Sequence, residues 1–156
     1  MNYVDNWNNS LEERPFKGEF DPYDGCLDAL AAWEHFGGLS RDSAYTKFCE
    51  NPEYYQEDFM FMGGVAFAYY YPVIERYILE SSIEKNRGEG VEAMWILAHC
   101  IKAQVDAKQV HHHLRKRLQD LVAHVRSHLV RYSADSDERG RIEAAWRQLE
   151  GTLRTA

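Results

Sequence analysis

The apolar stripe Val110, Leu114, Leu118, Leu121, Val122, Val125 and Leu129 is the feature that most constrains this chain, because its three- and four-residue steps put every member on one face of an α-helix. It predicts one long helix to about residue 132, with Arg115, Lys116, Arg117 and Arg126 on the wet side. The same period recurs upstream. Leu27, Leu30 and Ala31 predict a helix over 25–36, with Asp24 as N-cap and Gly37-Gly38 as its left-handed terminus. Ser40 caps a short second helix carrying Ala44 and Phe48. Asn51-Pro52 opens a third with Tyr55, Phe59 and Met62 as its apolar face, ended by Gly63-Gly64.

Val65 to Ile83 is helical by period, but Pro72 removes a backbone donor in its middle, so the expectation is a short piece, a break, and a longer helix carrying Ile74, Tyr77 and Ile78. Val91, Met94, Trp95, Ala98, Ile101 and Val105 mark the next helix, and Ile142, Ala145, Trp146, Leu149 and Leu153 the last. Trp95 and Trp146 both lie on strong stripes and are expected in the core. No run alternates with period two. The fold class is therefore all-α, a single compact bundle or short solenoid of six to eight helices over residues 24–156. Residues 1–23 carry Tyr3, Trp7, Phe16, Phe20 and Tyr23 without a period and read as a polar arm or strap.

At 156 residues and 45% apolar composition, the chain can bury a core without disulfides or a structural metal. Cys26, Cys49 and Cys100 are odd in number and far apart, which fits reduced thiols, with Cys100 as a small core residue. The acidic first 23 residues lack a signal-peptide core and no apolar run is long enough for a membrane span, so a cytoplasmic protein is expected. A formal charge of −7 disfavours nucleic acid and anionic membrane as partners. That charge is uneven: residues 1–90 carry 17 acidic and 7 basic side chains, and residues 91–156 carry 8 and 11.

Two segments read together carry a resemblance: Tyr55-Gln56-Glu57-Asp58 leading into Phe59–Met62, and Ala66-Phe67-Ala68-Tyr69-Tyr70-Tyr71-Pro72. An aromatic-Gln-Glu-Asp helix followed by A-F-x-Y-Y-x-P resembles small helical bacterial families of unknown function, with partner-binding proteins of the toxin-immunity kind among them. The resemblance spans about a fifth of the chain. It implies a bacterial helical domain and brings no activity, cofactor or catalytic residue with it.

Enzyme and cofactor signatures are missing. There is no G-x-S-x-G, P-loop, G-x-G-x-x-G or C-x-x-C, so neither catalytic residues nor a cofactor are nominated. His111, His112 and His113 are consecutive and His124 and His128 are four apart, yet neither H-E-x-x-H nor E-x-x-H occurs. His124 and His128 read as flank residues of a helix seam, and no metal is expected. His99-Cys100 point about 100° apart on a helix and form no pair.

The remaining concentration is aromatic and acidic, with nine aromatics between Tyr54 and Tyr77. Three consecutive helical residues span about 200° of the wheel, so at least one of Tyr69, Tyr70 and Tyr71 is expected at the surface. Tyr54, Asp58 and Phe61 share a face opposite the Tyr55, Phe59, Met62 stripe, with Glu57 alongside. The expected function is a non-catalytic module binding another protein, a basic one such as a toxin, through Tyr54, Glu57, Asp58, Phe61, Tyr69, Tyr70 and Tyr71. The alternative is a small-molecule or metal-binding helical protein, with enzymes in that class, using the histidines between 99 and 128.

Overall fold

The computed structural model describes residues 13–155, and among them every regular element is helical. In chain order these are α1 (Lys17–Phe20), α2 (Leu27–Phe36), α3 (Arg41–Glu50), α4 (Pro52–Tyr55), α5 (Asp58–Phe61), α6 (Gly64–Glu80), α7 (Ile83–Asn86), α8 (Val91–Asp106), a 3-10 turn (His112–Leu114), α9 (Arg115–Ser127), α10 (Leu129–Tyr132) and α11 (Ser136–Thr155). Six of them have ten residues or more and carry the architecture; the others are single turns that redirect the chain. Among the described residues no helix is long and apolar enough to cross a membrane.

Helix α6 is the axis of the bundle. Twelve of its seventeen residues are buried, so most of its circumference must be enclosed by other helices, with Val65, Arg76 and Glu80 left on the narrow remaining face. It packs against α1, α3 and α8, and one continuous core joins its side chains to those of α2, α5, α9 and α11. Around the rest of the core, α8 lies against α11 and α5, and α9 against α11. The result is a compact bundle.

Pro72 does not break α6, against the sequence expectation. The lost hydrogen bond is offset by anchors from neighbouring segments. Arg41 Nε donates to the Tyr69 carbonyl at 2.7 Å, and the Tyr70 hydroxyl lies 2.8 Å from both the Phe36 and Leu39 carbonyls. Gly63 and Gly64 start α6 and do so through close approach: a Cβ on Gly63 would stand 2.3 Å from the Glu19 carbonyl oxygen, and one on Gly64 2.7 Å from that of Gln109. The expected left-handed residue after α2 is Gly38, at φ 77°. At the start of that helix Asp24 is not the cap; Asp21 reaches forward instead, its Oδ2 accepting from the backbone of Gly25 and Cys26.

The single helix expected over the 110–132 stripe is three segments, interrupted at His128. Its apolar residues Leu114, Leu118, Leu121, Val122 and Val125 are buried as the period requires. Of its basic residues Arg115 and Lys116 are exposed, as expected of a wet side, while Arg117 and Arg126 are partly covered. Arg117 makes a two-pronged ion pair with Glu75 of α6, at 2.8 and 3.1 Å, while Arg115 donates to the Leu153 carbonyl and Arg126 to Glu143 and Glu150 of α11. These arginines fasten α9 to its neighbours. Trp146 is fully buried with Nε1 donating to the Met94 carbonyl at 2.7 Å, but Trp95 is only partly buried and stands at the rim.

Candidate functional site

The structure separates the seven residues singled out above. Tyr54, Glu57 and Phe61 are exposed, Tyr54 by 62%. Tyr69, Tyr70 and Tyr71 are all buried, at 5%, 0% and 0%. Tyr69 shares a face with the partly exposed Val65, Arg76 and Glu80, but the Arg41 guanidinium covers its ring at 4.0 Å. Asp58 is also buried, at 9%, because α4 and α5 are two separate turns and not the continuous helix on which Asp58 would lie beside Tyr54.

The short α5 is held by a side chain from α8. Gln104 is buried and its Nε2 lies 3.0, 3.3 and 2.7 Å from the carbonyls of Phe59, Met60 and Met62, acceptors that a four-residue helix leaves open. At the other end of α5, His35 Nδ1 donates to Asp58 Oδ2 at 2.7 Å. Burial pushes the Asp58 carboxyl above its ordinary value, and the His35 hydrogen bond pulls it back down. The His35 ring is bracketed by Tyr54 and Tyr55, with ring centres 5.3 and 5.1 Å away, and its backbone carbonyl accepts from Lys47 Nζ at 2.5 Å. The carboxylate therefore orients a ring that in turn props the exposed Tyr54, so Asp58 supports that surface from beneath.

Beside Tyr54 the chain forms a cleft that sequence reasoning did not assemble. Glu50 and Glu53 from the α3–α4 corner, Glu89 from the loop before α8, Glu92 from its first turn and Glu138 from α11 line a cavity of about 480 Å³, with Trp95 at its rim. No lysine or arginine is among its lining residues, and among the described residues none of the five glutamates is in an ion pair. Glu92 is oriented by Gln56 Nε2, which donates to it at 3.1 Å, and Glu138 by the Ser133 hydroxyl at 2.7 Å. Glu50, Glu53 and Glu89 belong to the acidic excess of residues 1–90, but Glu92 and Glu138 lie in the half where basic side chains outnumber acidic ones. The five positions come from four places in the chain and share no period.

The other side chains considered for chemistry are dispersed. Cys100 is fully buried, its thiol donating to the Gln56 carbonyl at 3.3 Å and pushed up to about 12 by burial, so it is no nucleophile at neutral pH. His124 and His128 stack at 4.3 Å on the flank of α9, and His111, His112 and His113 cluster beside the 3-10 turn. Comparison with protein-family models, with curated proteins and with solved structures finds no match for this chain, so its function is read from its own surface.

Proposed function

We propose that this chain is a non-catalytic protein-binding module that takes a lysine- or arginine-rich segment of a partner along the edge formed by Tyr54, Glu57 and the five-glutamate cleft. The cleft carries the reading. Carboxylates gathered into one concavity repel each other unless a cation joins them, and the fold supplies none from its own lining residues. A basic partner would relieve that repulsion, and the same field would speed its approach. Tyr54, exposed and held by its contacts to His35 and Tyr55, supplies the aromatic anchor that interfaces favour. A basic toxin neutralised by an immunity protein is the form of partner that the sequence resemblance implies.

The test is affinity capture on the full chain in parallel with the triple variant Glu53→Gln, Glu89→Gln, Glu92→Gln. A basic protein retained by the parent, released at about 0.5 M salt and bound at least about tenfold more weakly by the variant is the expected result. A partner bound equally by both chains would remove the cleft from the interface.

A further inference from the structure

The histidines His111, His112 and His113 do not lie on an α-helix, and that is what brings them together. On an α-helix three consecutive side chains fan out over about 200°, and their rings could not converge. Here α8 ends at Asp106, Lys108 turns the chain with φ 58°, and His111 is extended (φ −62°, ψ 137°) before the 3-10 turn begins at His112. This path folds the three imidazoles against one another, with ring centres 4.6, 4.4 and 4.1 Å apart. One ligating nitrogen from each ring lies within 4.8 Å of the others.

We propose that His111, His112 and His113 form a binding site for a borderline-soft divalent cation, zinc being the ion of choice, with three imidazoles as protein ligands and water completing the coordination. Imidazole nitrogen is the donor this class of ion prefers, and three such ligands with an open fourth position is an established zinc arrangement. Drawing the nitrogens onto one ion needs movement of about an ångström, which His112 and His113 can make because both are exposed. In the apo chain His111 Nδ1 accepts from the His113 backbone at 3.3 Å, a long bond that a metal displaces at little cost. His111 and His112 also border a cavity of about 490 Å³, which leaves room for water to complete the coordination.

The site is independent of the acidic cleft, and its test uses zinc alone. Isothermal titration of the untagged full chain should show one tight equivalent, and the thermal midpoint should rise with zinc because the folded chain holds the rings together and the unfolded chain does not. His111→Ala and His113→Ala should each weaken binding at least about tenfold, with circular dichroism unchanged, whereas the His124→Ala, His128→Ala double variant should bind as the parent does. Magnesium should not compete. Zinc binding that survives removal of all three histidines, a midpoint that zinc leaves unmoved, or no binding above that of the triple variant would each overturn the proposal.

Discussion

His35 and Asp58 show how a residue pair expected to belong to a surface can act from underneath it. Burial alone would raise the Asp58 carboxyl well above 3.8, its ordinary value, and His35 is the principal counterweight. In His35→Ala the carboxyl is left buried without that partner and rises further. A group that binds its proton more tightly in the folded state destabilises only where the unfolded chain has already lost it. The penalty is therefore absent below the ordinary value and grows as pH climbs through the window above it. His35→Ala should cost about 1–3 kcal/mol near pH 7, with the gap to the parent narrowing toward about pH 4. Thermal midpoints of both chains across that range check this. A second change, Asp58→Asn, should restore most of the loss at neutral pH, since an amide needs no counter-charge.

The elements of this fold are ordinary helices at awkward junctions, and the junctions decide where they point. Gly63 is the clearest case. The chain needs no positive φ there; it needs the space, because the Glu19 carbonyl and the Pro22 ring occupy the position of a side chain. Gly63→Ala must move either α1 or the start of α6, and the obstructing atom is backbone, so little relief is available. A loss of about 1–3 kcal/mol is expected, read as a lowered midpoint in chemical denaturation with an unchanged slope. The double glycine was legible as punctuation, but its purpose was not. Contacts between Gly63 and residues about forty positions upstream leave no trace in local spacing.

On the scale of the whole molecule, the two tryptophans expected to be equivalent are separated by the packing of α8 on α11. Trp146 is enclosed and its indole N–H is satisfied by the Met94 carbonyl, whereas Trp95 stands at the lip of the acidic cleft with the Arg141 guanidinium 5.6 Å from its ring. Trp146→Ala should cost about 3–5 kcal/mol and abolish soluble expression. Trp95→Ala should leave a cooperative melt with a much smaller shift and change the cleft that the proposed partner uses. A comparable loss in both variants would place the core edge elsewhere.

What the sequence determined by itself is the all-α class and most of the faces that the longer helices bury. Those depend on period, capping and apolar content within a dozen residues, as the Ser40 cap and the Leu114 to Val125 stripe illustrate. Which helix would be surrounded was decided by tertiary structure, because enclosure is a property of neighbours. It overruled Pro72, buried all three tyrosines of the 69–71 run and paired Arg117 and Arg126 of α9 with Glu75, Glu143 and Glu150 of its neighbours. The same holds for the candidate sites. Tyr54 could be named from spacing, but five glutamates from four segments meet only once α4, α8 and α11 are in place, and three consecutive histidines converge only because the chain there takes an extended residue and a 3-10 turn in place of an α-helix. Charge acts through space, and composition along the chain records its amount without its address.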